Sequence, residues 1–91
     1  MDSVKISIHK TDGTQLNLSI QRERLLSSLQ KIVGGPVEVV RTHSLKEGKI
    51  LLANENGRLL GLPPNLSDLT DDPRCPPLVG DLILMDEKDF D

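Results

Sequence analysis

The chain has 91 residues and a mass of 10.0 kDa, enough for one small domain around a single hydrophobic core. Hydrophobic residues make up 36% of it, and Phe90 is its one aromatic residue. A domain of this size buries roughly 60% of its unfolded surface, so a lone monomer would be marginal and we expect a homo-oligomer. The 11 basic and 14 acidic residues give a net charge of -3, which argues against a protein that binds long nucleic acids and against a disordered polyanion.

The apolar runs and the cysteine count predict a cytoplasmic protein. The longest apolar runs, Ile50–Ala53 and Leu82–Met85, have four residues each, too few for a membrane span or a signal peptide. Cys75 is the one cysteine, which excludes an internal disulfide and fits a reducing compartment.

Charge is unevenly distributed along the chain. Residues 1–65 carry nine basic and six acidic side chains, whereas residues 66–91 carry two basic and eight acidic ones. We expect one α+β domain over residues 1–85, followed by an acidic C-terminal tail over residues 86–91. Such a tail is either solvated or in contact with a basic partner.

The first predicted elements form a β-hairpin followed by a helix. Apolar and polar residues alternate along Val4–Lys10 and Gln15–Ser19, the pattern of half-buried strands, and Asp12-Gly13 between them is typical of a tight turn. The spacing then changes to that of a helix, and Gly34-Gly35 with Pro36 marks its end. One apolar stripe of the helix contains Leu25, Leu26, Leu29, Ile32 and Val33.

The second half of the sequence has the patterns of further short strands. The fold class is therefore α+β, a small, mostly antiparallel sheet of five to six short strands packed on one main helix. The predicted elements are a strand from Val37 to about Thr42, strands at Lys49–Asn54 and Arg58–Leu62, one helical turn at Leu66–Thr70, and a last strand at Leu78–Met85 kinked at Gly80.

No catalytic or metal-binding pattern stands out, so we expect a non-enzymatic protein without a cofactor. Cys75 could act as a nucleophile with His9 or His43, but nothing in the sequence brings them together. Glu38 and Glu55 could form a carboxylate pair only if their strands meet. The histidines and the cysteine lack the spacing of metal ligands.

A group of basic and amide side chains predicts a site for a small anionic ligand. Arginine and lysine donate charge-assisted hydrogen bonds to phosphate oxygens, and asparagine amides suit a base edge or a sugar. The alternative is a solvated hairpin rim. The candidate residues are Arg41, His43, Lys49, Asn54, Asn56, Arg58 and Asn65.

Four short motifs stand out along the chain: Val33-Gly34-Gly35-Pro36-Val37-Glu38-Val39-Val40, Asn54-Glu55-Asn56-Gly57-Arg58-Leu59, Leu62-Pro63-Pro64-Asn65 and Leu78-Val79-Gly80-Asp81. They resemble those of a family of small phage and algal-virus proteins, the domain of unknown function numbered 3846. Pro36 stands where that family usually has an aromatic residue.

The resemblance implies a viral origin and action in the cytoplasm of an infected host cell. Small viral proteins of this build include sponges that sequester cyclic nucleotide signals of host immunity, so we expect a small nucleotide as the ligand, held between subunits. The alternative is a protein-interaction module that inhibits a host protein, imitating nucleic acid with its acidic C-terminal third. An enzyme that uses Cys75 is a third possibility.

Overall fold

The computed structural model describes residues 2–40, 47–65 and 78–90. Its main feature is a five-stranded sheet in the order β2-β1-β5-β4-β3, in which every neighbouring pair is antiparallel. The last strand in the sequence, β5, is thus inserted in the middle of the sheet, between β1 and β4. The elements are β1 (Ser3–His9), β2 (Gln15–Gln21), α1 (Leu25–Val33), β3 (Val37–Val40), β4 (Lys49–Asn54), β5 (Leu82–Asp86) and α2 (Glu87–Phe90).

The predicted N-terminal hairpin is confirmed. The Gly13 N–H donates to Lys10 O and the Lys10 N–H donates to Thr14 O, each at 2.9 Å. Gly13 has a φ of 92°, so this is a three-residue loop closed by a glycine in the left-handed region, a common hairpin connection. The Asp12 carboxylate accepts hydrogen bonds from the Thr14 N–H and hydroxyl, and these hydrogen bonds lower the pKa of Asp12.

The helix α1 follows β2 through a 3-10 turn at Arg22–Arg24. Three residues of the predicted stripe, Leu25, Leu29 and Val33, are buried. Ile32 is partly buried against the core, whereas Leu26 is 56% exposed, so the stripe is narrower than predicted. The helix ends where the glycine pair predicts: Gly34 has a φ of 85°, and the N–H groups of Gly34 and Gly35 both donate to Gln30 O.

The main core lies between α1 and one face of the sheet, which we call the helix face. Alternate residues of the central strands point to it, such as Ile50 and Leu52 of β4. The opposite face carries a smaller apolar cluster made of Leu51, Ala53 and Leu82, with Leu78 and Leu84 packed against it. The buried core residues of the helix face are Val4, Ile6, Ile8, Leu25, Leu29, Val33, Ile50, Leu52, Ile83 and Met85.

The expected fold class is wrong in its balance of elements. Over the described ranges the chain is mostly an antiparallel sheet, with one short helix and a four-residue C-terminal helix, rather than a sheet packed on one main helix. The nine residues of α1 make about two and a half turns, too few to cover five strands. Contacts between neighbouring strands therefore dominate the tertiary structure.

The predicted strand at Arg58–Leu62 is also wrong. Its N–H groups bond locally: Leu60 donates to Asn56 O and Leu62 to Gly57 O. The segment is a series of turns that leaves Leu59 90% exposed. The leucines of this segment are typical of a strand. The turns, however, provide hydrogen-bond acceptors for its backbone N–H groups, so it needs no neighbouring strand.

The C-terminal segment is held to the domain. Gly80, with a φ of 79°, bends the chain before β5, which runs on to Asp86. Glu87–Phe90 then form the helix α2, and Phe90 packs against the core. The Arg22 guanidinium donates to Asp89 Oδ1 at 3.1 Å and to Asp2 Oδ2 at 2.6 Å.

Two predicted secondary-structure features lie outside the described residues: the helical turn at Leu66–Thr70 and the end of the third strand at Thr42. Within the described ranges, no helix is both long enough and apolar enough to cross a membrane.

Candidate functional site

A cleft lies on the face of the sheet opposite α1, where the carboxyl end of β4 meets β3. Its volume is about 380 Å³, within the usual range for small-molecule sites. Strands β3 and β4, the turn that follows β4 and the residues that precede β5 all contribute to it. We call it the Arg58 cleft; its lining consists of Glu38, Val40, Ala53, Asn54, Glu55, Arg58, Leu59, Leu78 and Val79.

The backbone around the cleft is fixed by hydrogen bonds. Glu38 lies directly opposite Ala53 in the β3–β4 ladder, and the Glu55 N–H donates to Pro36 O at 2.8 Å. The Gly57 N–H donates to Asn54 O at 3.1 Å, which turns the chain and places Arg58 at the rim. The position of Arg58 thus follows from β4 and one tight turn.

The lining combines one cation, two carboxylates and an apolar floor. The Arg58 guanidinium has five N–H donors, so it can serve an anion in addition to its interactions within the protein. The carboxylates of Glu38 and Glu55 can accept hydrogen bonds from amino or hydroxyl groups. Val40, Ala53 and Leu78 provide a surface against which a ring can pack.

The structure separates Lys49 from Arg58. Lys49 begins β4 and Arg58 follows its end, so the length of the strand, about 17 Å, lies between them. Lys49 forms an ion pair with Asp86 across the β4–β5 ladder. The hydrogen bond that the Lys49 ammonium donates to the Asp86 carboxylate lowers the pKa of Asp86. Lys49 lines a different depression of the sheet, beside Lys5 and Ser7.

Two of the candidate asparagines are buried and make structural hydrogen bonds. Asn54 is 5% exposed; its Nδ2 donates to Val33 O at 3.0 Å, and its Oδ1 accepts from the Asn56 N–H at 2.8 Å. Asn65 is 6% exposed, and its Nδ2 donates to His9 O and Gly80 O, both at 2.9 Å. Their amides tie chain segments together, a role that sequence patterning could not separate from ligand contact.

The other candidates divide between exposed and undescribed positions. Asn56 is exposed on the turn after β4. Arg41 and His43 lie outside the described residues, so the prediction for them stays a prediction. Among the candidates that the structure describes, Asn54 and Arg58 line the same cleft.

The sequence did not single out the apolar part of the cleft, and it left Glu38 and Glu55 as a pair that depended on strand pairing. The β3–β4 register places Glu38 opposite Ala53, two residues before Glu55, and both glutamates line the cleft. Leu59 and Val79 join the lining through turns that lack a periodic signal. Over the described ranges, no group of three or more histidine, cysteine or acidic residues is placed to hold a metal ion.

Comparison with known families covers nearly the whole chain: one family model matches residues 4–91. The chain belongs to the family described as Domain of unknown function (DUF3846). No curated protein and no solved structure matches it.

The four motifs that carry the resemblance contact one another in this DUF3846 chain. Asn54 of the second motif holds the end of α1, because its Nδ2 donates a hydrogen bond to Val33 O. Asn54 also lies against Gly35, where an added Cβ would be 3.2 Å from Asn54 Nδ2. The first two motifs together thus fasten α1 to β4.

The last two motifs form a second fastening. The Gly80 N–H donates to Pro63 O at 2.8 Å, and the Asn65 N–H donates to Leu78 O at 2.9 Å. A Cβ on Gly80 would lie 2.9 Å from Leu62 Cδ1, so the two segments pack closely. In the DUF3846 chain the motifs thus hold neighbouring segments together, and the first two of them contain the polar residues that line the Arg58 cleft.

Proposed function

We propose that this DUF3846 protein binds a small nucleotide in the Arg58 cleft without converting it. The observation that supports the proposal is the lining itself: one arginine, two carboxylates and an apolar floor around about 380 Å³. The guanidinium would hold the phosphate, and the carboxylates would accept hydrogen bonds from amino or hydroxyl groups.

The charge of the lining disfavours a ligand with several negative charges. Glu38 and Glu55 outnumber Arg58, and they would repel a triphosphate. A cyclic mononucleotide carries one phosphodiester charge together with the amino and hydroxyl donors that the carboxylates can accept. The apolar floor of Val40, Ala53 and Leu78 would take one face of the base, in place of an aromatic side chain.

In the cytoplasm of an infected host, the setting that the viral resemblance implies, binding without turnover would sequester a signalling nucleotide. This is the behaviour of a sponge.

The test is a thermal-melt screen of the intact protein against cyclic and linear nucleotides. A ligand at a hundred times its Kd stabilises the fold by about 2.7 kcal/mol, a shift on the order of 10 °C or more for a domain of this size. Chromatography of the recovered ligand then separates binding from turnover. A folded protein with no shift across the panel would refute nucleotide binding, and a cleaved ligand would refute the sponge.

Arg58→Ala is expected to weaken binding by about 1.5–3 kcal/mol, the range for hydrogen bonds to charged groups. Arg24→Ala is the matched control, because it removes the same charge from an exposed position at the start of α1, on the helix face. An unchanged Kd for Arg58→Ala would remove the arginine from the site.

The rival function, a protein-interaction module that uses the acidic C-terminal third, has less support in the described residues. Asp86 and Asp89 form ion pairs with Lys49 and Arg22, and Asp81 accepts a hydrogen bond from the Thr11 N–H at 3.1 Å. Deleting residues 86–91 would damage β5 and the core contact of Phe90, so it is a poor test. The sharper test is whether capture of a basic protein weakens strongly with salt.

A further inference from the structure

The outer edge of β2 has the backbone geometry and the side chains to pair with a second copy of itself. Strand β2 is at the end of the sheet order, and six of its seven residues are exposed. Its sequence, Gln-Leu-Asn-Leu-Ser-Ile-Gln, has no charge, no proline and no glycine. Proteins usually protect an open edge with lysine, proline or a bulge, and β2 has none of these.

The hydrogen bonds of the hairpin show which backbone groups point outward. The Lys10 N–H donates to Thr14 O at one end of the ladder, and the Arg22 N–H donates to Asp2 O at the other. Hydrogen-bonded and non-hydrogen-bonded residue pairs alternate along antiparallel strands. The backbone groups of the even-numbered residues of β2 therefore form hydrogen bonds with β1. The N–H and C=O groups of the odd-numbered residues point away from the sheet; these residues are Gln15, Asn17, Ser19 and Gln21.

The side chains of β2 are half exposed on the helix face. Leu16 is 47% and Leu18 45% exposed, and both face the same side as Ile20, which packs against the core. The helix α1 therefore does not cover this edge of the apolar face. A second β2 strand would bring the missing apolar surface to these leucines.

We propose that two copies of this chain pair antiparallel through β2, with Leu18 opposite Leu18 of the second copy. In this register Leu16 lies opposite Ile20, and Asn17 lies opposite Ser19. The odd-numbered residues then form the hydrogen-bonded pairs, and the leucines form the close non-bonded pair on the helix face. The result is a continuous sheet of ten strands around a two-fold axis.

A second copy suits this edge better than a partner of another kind. A charged partner would find no complementary charge on β2, whereas an identical uncharged strand brings no like-charge repulsion. The two-fold register matches apolar with apolar and polar with polar at every position of β2. The apolar surface buried between the two copies would also add stability to a 91-residue chain with one aromatic residue, whose own core is small.

The interface is independent of the proposed ligand site. The Arg58 cleft involves β3 and β4, and β2 is at the other end of the sheet, about 19 Å from β3 at the usual strand spacing. This dimer therefore does not enclose the cleft between subunits, contrary to the expectation from the sequence. Loss of the dimer and loss of nucleotide binding are separate outcomes.

The first test measures the mass of the intact protein by sedimentation equilibrium over a concentration series. The wild type is expected to be a dimer, and Leu18→Lys to raise the dimer dissociation constant at least about tenfold, because two lysines would face each other. Leu60→Lys is the matched control: Leu60 is 61% exposed on the turn after β4 and is expected to leave the dimer intact. A wild type that stays monomeric, or a Leu18→Lys protein that dimerises like the wild type, overturns the proposal.

The second test fixes the register, and it does not depend on how a lysine is tolerated. In a Cys75→Ser background, Leu18→Cys is expected to form an intermolecular disulfide on mild oxidation, because directly opposed residues have the Cα separation that a disulfide needs. Leu16→Cys is the control, because in this register its two copies are about 13 Å apart along the strands. Cross-linking through residue 16 that equals or exceeds that through residue 18 overturns the pairing.

Discussion

Replacing Asn54 by alanine tests whether this side chain fastens α1 to β4. Asn54 is buried, donates to Val33 O at 3.0 Å and accepts from the Asn56 N–H at 2.8 Å. Alanine removes both hydrogen bonds, each with a net contribution of about 0.5–1.5 kcal/mol. It also leaves the carbonyl of the buried Val33 without this donor, at about 1–3 kcal/mol for an unsatisfied buried group.

These contributions predict that Asn54→Ala lowers the free energy of unfolding by about 2–4 kcal/mol. For a domain of this size, a loss of 1 kcal/mol lowers the Tm by roughly 4–8 °C, so the variant should melt at least about 8 °C below the wild type. The assay is urea unfolding followed by circular dichroism, without ligand. The absence of ligand matters because a residue that only contacts ligand would leave this free energy unchanged.

Asn56→Ala is the matched control. It removes the same amide group from a side chain that is exposed and lies two residues after Asn54. The backbone N–H of residue 56, which donates to Asn54 Oδ1, remains. The effect of Asn56→Ala is expected to stay within about 0.5 kcal/mol. If Asn54→Ala falls within 1 kcal/mol of the wild type, or if the two variants lose the same stability, the reasoning about this fastening is wrong.

Two further predictions concern close packing and charge. A Cβ on Gly57 would lie 2.9 Å from Val79 Cγ2 and 3.3 Å from Asn54 O, so Gly57→Ala should destabilise the fold by about 1–3 kcal/mol in urea unfolding. Adding Val79→Ala removes one of the two obstacles, and a double variant whose loss equals the sum of the single losses would contradict this account. The hydrogen bond and charge of Lys49 lower the pKa of Asp86, so Lys49→Met should raise that pKa toward its ordinary range in an NMR titration, and Lys88→Met should raise it less. Because the folded-state pKa of Asp86 is lowered, the Lys49–Asp86 pair stabilises the wild type above the ordinary pKa of aspartate, and this stabilisation is lost as the pH falls through the lowered value. An unchanged Asp86 pKa in Lys49→Met would refute the assignment of the shift to Lys49.

Local patterns in the sequence predicted the elements whose structure depends on neighbours in the chain. The hairpin β1–β2 follows from two-residue alternation and from Gly13, and β4 has the predicted bounds Lys49–Asn54. The end of α1 follows from Gly34 in the left-handed region. In each case a short stretch contains both the periodicity and the turn residue that determine the conformation.

The predictions failed where tertiary contacts decide. Arg58–Leu62 has the composition of a strand, yet its N–H groups find acceptors within the turn. The apolar stripe of α1 predicted a helix on a sheet, but its length could not show how little of a five-strand sheet it covers. Nor could the sequence show that β5 is inserted between β1 and β4, because strand order depends on pairing between distant segments.

The candidate site divides in the same way. From the sequence alone, the chain's size, its charge, its family motifs and the position of Arg58 beside a turn could be determined. The tertiary structure alone decided that Glu38 and Glu55 share a cleft with Arg58, that Lys49 lies at the other end of β4, and that the amides of Asn54 and Asn65 hold backbone segments together. The physical reason is that a side chain's chemistry is local to its residue, whereas its partners and its burial are properties of segments that meet only in the folded chain.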